Sequence, residues 1–192
     1  MTDEHVRGHW LSGAVAFMTV HFPVETGHRL LENLARDVRL AAPRVGLAEW
    51  CPRTHHVELL RAIGSVSQDE RGVFDDLVAY GQFIATEATR GPLKPLLSIV
   101  TPRMFAKRLP DLWAMDHRGE SKLDSDFALL DEGRLVLRLS GIRGYDHVGV
   151  ARLGWVKSTL GELIGKTPQL KQSGWGLRHS APSEMTCEVT WS

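Results

Sequence analysis

The feature that most limits what this chain can fold into is a change of apolar period part-way along it. Up to Trp113 the apolar residues recur every three or four positions, punctuated by prolines and glycines. Beyond it they recur every second position, return once to the helical spacing, and alternate again at the end. Helices, then a hairpin, one further helix and a second hairpin make an α+β domain in which a helical N-terminal part packs on a small antiparallel sheet. At 192 residues the chain is read as a single domain, 1–115 mainly helical and 116–192 hairpin, helix and hairpin.

Within the helical part, Val6, Trp10, Phe17 and His21 share one face of a helix that Pro23 stops. A second helix passes through Leu30, Leu31, Leu34 and Val38 and ends before Pro43; a third starts at Thr54 and turns Val57, Leu60 and Ile63 inward. Ser67 and Glu70 have capping-box spacing, opening a helix whose inner face is Phe74, Leu77, Val78, Gly81, Ile84 and Ala85. After Gly91-Pro92 a short helix covers Leu93 to Val100. Thr101-Pro102 caps the next, which carries Met104, Phe105 and Leu109 and is ended by Pro110.

The first hairpin runs from Phe127 through the turn Asp131–Gly133 to Leu135, Leu137 and Leu139. A helix from Gly149 to Gly165 contains four glycines, which cost helical stability unless another backbone approaches closely. Strands over Leu170–His179 and Glu184–Trp191 close the chain, with Met185, Cys187, Val189 and Trp191 on one face.

Charge is balanced, 23 basic against 23 acidic side chains, so no global field draws the chain to nucleic acid. Arg103, Lys107 and Arg108 read as a solvated helix face. The polar N-terminus has no signal pattern, and no apolar run nears the ~18 residues of a spanning helix, so the reading is a cytoplasmic protein without membrane insertion. Cys51 and Cys187 are too far apart in sequence for a disulfide framework or a structural zinc motif. There is no P-loop, no Gly-x-Gly-x-x-Gly after a strand and no Gly-x-Ser-x-Gly elbow, and the chain is read as a non-enzyme. His55 and His56, adjacent on a helix, point about 100° apart and cannot share an ion, so one of them is expected to turn inward. His5 and His9 have i, i+4 spacing but no third ligand, and read as surface residues. Asp124 and Asp126 read as loop residues with a capping role.

Three stretches carry a family resemblance: VRGHWLSGAVAFMTVHFP at 6–23, W-C-P-x-x-x-H at 50–56 and LLSIVTPRMFAKRLPDLW at 96–113, with the closing strand into Thr190-Trp191. Together they resemble a family of uncharacterised myxobacterial proteins that is in turn similar to a haem-free form of the H-NOX gas-sensing domain. The architecture is shared with vinyl-reductase-like and TRAPP ligand-binding domains. In H-NOX domains a Tyr-x-Ser-x-Arg motif holds the haem propionates and an upstream histidine ligates iron. Here Ser140 matches the serine, but Arg138 and Ile142 stand where tyrosine and arginine belong; Arg143 falls one residue late and Tyr145 beyond it. His117 is the one histidine between the helical part and the hairpin, in the turn-like context Asp116-His-Arg-Gly119.

The resemblance therefore implies a non-enzymatic ligand-binding or protein-interaction module in cytoplasmic signalling, with no cofactor and with haem not expected. A cavity between helices and sheet would be lined by Leu97, Met104, Phe105 and Leu109 and take a small apolar ligand, with His117, Ser140, Arg143 and Tyr145 at the strand-to-helix turn. Two further readings stand beside it. One is a haem-based sensor of NO or O2 using His117 and Arg143. The other is a TRAPP-like adaptor forming a homodimer through exposed Trp10 and Phe17.

Overall fold

The computed structural model describes residues 4–90, 99–173 and 183–192. Its elements are β1 (His5–Arg7), α1 (Gly8–His21), α2 (Val24–Glu32), α3 (Arg36–Ala41), β2 (Trp50–Pro52), α4 (Arg53–Gly64) and α5 (Glu70–Arg90). These are followed by α6 (Pro102–Asp116), β3 (His117–Arg118), β4 (Lys122–Asp126), β5 (Arg134–Ser140), α7 (Asp146–Ile164), β6 (Gln169–Ser173) and β7 (Glu184–Thr190). The architecture is α+β, with helices first and an antiparallel sheet of order β4-β5-β7-β6 behind them. The short helix expected over Leu93–Val100, with Leu97, lies outside the described residues except for its last two positions, and so does the part of the expected strand Leu170–His179 beyond Ser173.

The large sheet follows from period-two alternation. Leu135, Leu137 and Leu139 of β5 stand opposite Val189, Cys187 and Met185 of β7, all buried on one face, while Arg134, Arg138 and Glu184 point away. The first strand of the hairpin is not at Phe127: β4 begins at Lys122, and residues 127–133 make the connection, with a 3-10 turn over Leu130–Glu132 and Gly133 in the left-handed region. Asp124 and Asp126 are accordingly strand residues opposite Arg138 and Val136, although Asp126 also caps the turn by accepting from the Ala128 amide at 3.2 Å.

A second sheet, β2-β1-β3, was not anticipated. Val6 stands opposite both Cys51 and His117, and all three are buried. Val6 therefore belongs to a strand rather than to α1, and His5 and His9 share no helix face.

Several helix ends differ from the sequence expectation for identifiable reasons. The second expected helix is two, broken at Asn33–Ala35. At the start of α5 the cap is Asp69, which accepts from the Gly72 amide at 2.7 Å, while Ser67 donates to Asp76. Thr101 caps α6 as expected, accepting from the Met104 amide. Pro110 does not end that helix. The carbonyl that its missing N–H would leave open, that of Ala106, accepts from the Ser125 hydroxyl of β4 at 2.7 Å.

Helices α5 and α7 cross at glycines. A Cβ on Gly81 would lie 1.8 Å from the Ala151 carbonyl oxygen, and one on Gly154 would lie 2.1 Å from that of Val78. The glycines of α7 thus do what their cost requires, letting two backbones touch. Among the described residues no helix is long and apolar enough to cross a membrane.

Candidate functional site

Where the helices meet the small sheet, the core is not apolar. Trp10, 1 % exposed, is ringed by five polar side chains. The rings of His9, His56, Tyr80 and His117 lie 5.5, 5.7, 6.1 and 6.2 Å from it, and the Arg152 guanidinium 5.5 Å over it. Each arrives on a different element: α1 brings His9 and Trp10, α4 His56, α5 Tyr80, β3 His117 and α7 Arg152.

The hydrogen bonds fix both inner histidine tautomers. The Tyr80 hydroxyl donates to the Trp10 carbonyl at 2.5 Å, so at 3.1 Å it accepts from His56 Nε2–H. His56 Nδ1 is then a bare lone pair, buried without a partner. In His117, Nδ1–H donates to the Trp113 carbonyl at 3.2 Å, the ring stacks on Trp113 at 3.9 Å, and Nε2 is the bare atom. Burial holds His56 down to about 3, with His9 and Arg53 adding to the effect. Burial first, then the Arg152 and Arg53 charges, keeps His117 well below its ordinary value. Both rings are neutral at physiological pH and can donate a lone pair.

Arg152 is 1 % exposed. Its Nη1 donates to Asp116 at 2.9 Å, its guanidinium lies 4.2 Å over the Trp155 ring, and its Nε and Nη2 have no hydrogen-bond partner. Burial lowers its pKa and Asp116 opposes that. Asp116 also lies 3.9 Å from half-exposed His9, the side of the cluster nearest solvent. Trp10 Nε1 is a further donor without a partner. A second buried guanidinium, Arg53, uses both of its terminal nitrogens: Nη1 pairs with Glu4 and Nη2 donates to the Ser121 hydroxyl at 2.7 Å, while the group lies 4.7 Å over the Tyr145 ring and Nε alone has no partner. Bare imidazole nitrogens beside unpartnered N–H donors can ligate an electron-poor centre and hold an anionic group together.

The residues expected to form a site are partly dispersed. Phe105 and Leu109 are buried, and Phe105 packs on Trp155, the ring that Arg152 covers, with centroids 5.6 Å apart. Met104 is 53 % exposed and lines a surface hollow of about 330 Å³ with Lys107, Arg108 and Asp111, not an internal cavity. Ser140 ends β5 opposite Lys122 and Glu184; Arg143 is exposed on the following loop and cannot serve an internal anion; Tyr145 is spent on Arg53. His117 is a buried strand residue rather than a turn residue. His55 faces Asp37 at 3.4 Å while His56 is the inward one, as the helical angle requires. Trp10 and Phe17, expected as an exposed dimer face, are both buried. Among the described residues no three His, Cys, Asp or Glu side chains converge as a metal site. Sequence reasoning missed Tyr80 and Arg152. The signal for Arg152 was present, an arginine inside the apolar run Val150-Ala-Arg-Leu-Gly-Trp155.

No protein-family model and no curated protein matches the chain. Solved structures do. An Fe(II) H-NOX protein from K. algicida superposes with a TM-score of 0.66 at 11 % identity, covering 96 % of this chain and 95 % of that one. An Fe(II)NO H-NOX protein from S. oneidensis gives 0.64 at 12 % identity, with 97 % and 99 % covered. A structure from a study of haem redox potential under porphyrin distortion gives 0.60 at 8 % identity, with 96 % and 99 % covered. The fold is H-NOX-like. These comparisons do not support the TRAPP-like and myxobacterial parts of the resemblance. They also overturn the expectation of no cofactor, because the proteins sharing this fold hold iron and haem.

Proposed function

We propose that this chain is a ligand-binding sensor domain of H-NOX-like fold, not an enzyme, and that its ligand is held in the polar core around Trp10. The observation that carries the reading is His117. It is wholly buried and neutral, with one ring nitrogen anchored on a backbone carbonyl and the other bare, the arrangement that orients a metal-ligating histidine.

The donor chemistry fits a haem-type cofactor at two points. His117 Nε2 would ligate the iron, and Arg152, not Arg143, would face an anionic substituent. Such a group would supply a ferrous site for a diatomic gas. The chain's own part is to keep His117 unprotonated by burial and by the neighbouring guanidiniums, to fix its ring against Trp113, and to exclude water with Trp10, Phe105 and Leu109. A change in what is bound would then shift helix packing against the sheets.

The test is expression with haem supplementation, followed by absorption spectroscopy and native mass spectrometry of wild type and His117→Ala. A Soret band with the matching added mass, altered in position and intensity in His117→Ala, is expected. A colourless wild type at the bare chain mass would overturn the reading, and an identical spectrum in His117→Ala would remove His117 as the ligand.

A further inference from the structure

We propose that the outer face of the β2-β1-β3 sheet is a docking surface for an acidic segment of a partner protein, held by Arg7, Trp50 and Arg118. Strand alternation builds it. Val6, Cys51 and His117 face the core, so their neighbours Arg7, Trp50 and Arg118 face out. The Arg7 guanidinium lies 3.9 Å from the centroid of the half-buried Trp50 ring and that of Arg118 lies 4.0 Å from it. Two guanidiniums this close to one centroid must occupy opposite faces, since on one face they would collide. Arg7 is held further by the Met115 carbonyl at 3.1 Å and by that of Ala48.

Neither charge is neutralised within the described residues. Of the nearby carboxylates, Glu4 pairs with Arg53 and Asp116 with Arg152, and Glu49 is turned toward the Gly46 amide of its own turn at 3.1 Å. The face thus presents two guanidiniums that have no ion-paired carboxylate among the described residues, and Leu47 and Met115 flank it at 68 % and 63 % exposure. An indole already rigid between two cations loses little freedom on binding, and arginine and tryptophan are the side chains that dominate interface energetics. Charge complementarity selects carboxylates, and the apolar flanks select a polypeptide that carries apolar side chains among them. With 23 basic and 23 acidic residues overall, the chain has no global field that would draw a polyanion such as nucleic acid. Arg118 directly follows His117, so movement of the buried ring would reach this face; that link rests on the proposed function, whereas the docking itself does not.

The probe is a fluorescein-labelled acidic peptide of Asp and Glu around a central Leu-Leu, with its Asn/Gln counterpart, titrated with the full chain at low salt and followed by anisotropy. The acidic peptide should bind and the amide peptide should not. Arg118→Gln, Arg118→Glu and Trp50→Ala should each weaken binding about tenfold or more, with circular dichroism unchanged. Arg103→Glu, on α6 beside Asp131, should leave it intact. No binding by wild type, an equal loss in Arg103→Glu, or capture of phosphatidylserine vesicles in place of the peptide would overturn the proposal.

Discussion

Mild acid should destabilise this protein well before its carboxylates titrate, because the core encloses two neutral histidines. Burial holds His56 at about 3 and His117 well below 6.5, whereas in the unfolded chain both return to 6.5. A folded value below the unfolded one means that the unfolded state takes up the proton first. The stabilisation is complete above pH 6.5 and is lost as pH falls below it, continuing for His56 to about pH 3. For a histidine that stays neutral when folded, the loss between pH 8 and pH 5 is about 2 kcal/mol, and for the pair about 4 kcal/mol. That is a large share of the 5–15 kcal/mol by which proteins of ordinary stability are held, roughly speaking. His9 shifts in the same direction, but it is half-exposed and contributes less.

Urea unfolding between pH 8 and pH 5 reads this directly. Once both histidines are protonated in the unfolded state, stability should fall by about 2.7 kcal/mol per pH unit, two protons being bound on unfolding. In His56→Gln the slope should drop by half whatever the variant's stability at pH 8. A wild type equally stable at pH 8 and pH 5, or an unchanged slope in His56→Gln, would refute the assignment of these rings as neutral core groups.

Three further outcomes follow from the same packing. Gly154→Ala places a methyl 2.1 Å from the Val78 carbonyl oxygen, where ordinary contact starts at 3.4 Å, so the α5–α7 crossing must open. The cost is about 1–3 kcal/mol despite alanine's better helix propensity, and a melting temperature at or above wild type would contradict it. Tyr80→Phe leaves His56 Nε2–H and the Trp10 carbonyl without their buried partner; chemical denaturation should show a loss of about 1–3 kcal/mol. Ser125→Ala strips the Ala106 carbonyl of its partner and should cost about 1 kcal/mol. Pro110→Ala, by restoring the helical N–H, should abolish most of that cost in a double-mutant cycle.

The long elements were legible because each spans several periods and carries its own punctuation. Thr101-Pro102 announces α6, the apolar run from Val148 to Leu163 with Gly165 beyond announces α7, and Met185, Cys187 and Val189 announce β7. The small sheet was illegible for a physical reason: strands of two or three residues complete no alternation. Val6 lies four residues before Trp10 and so mimicked a helical partner. Pro110 misled because the relief of its lost hydrogen bond comes from Ser125, a tertiary contact absent from local pattern. The site was hardest to see, since the polar groups around Trp10 come from five elements and each looks isolated on its own. Only Arg152, an arginine in an apolar helical run, stands out of place in the sequence.

The polar core argues for use rather than for stability. Replacing a largely buried ion pair with apolar side chains of similar volume is commonly neutral or stabilising, and in Arg152–Asp116 the guanidinium is buried while the carboxylate is 21 % exposed. Neutral histidines that make the protein acid-labile are a further cost. A chain that needed only a core could fill the space around Trp10 with leucine, as it does along β5. It places there two imidazole lone pairs and a guanidinium with idle donors, each held by a separate backbone element. The inward side of β3 carries one of those lone pairs on His117, and the outward side carries Arg118 against Trp50. Two residues of one short strand thus connect the inside of the fold to its surface with no intervening loop to absorb a displacement, which would make β3 the direct mechanical route between the proposed ligand site and the proposed docking face.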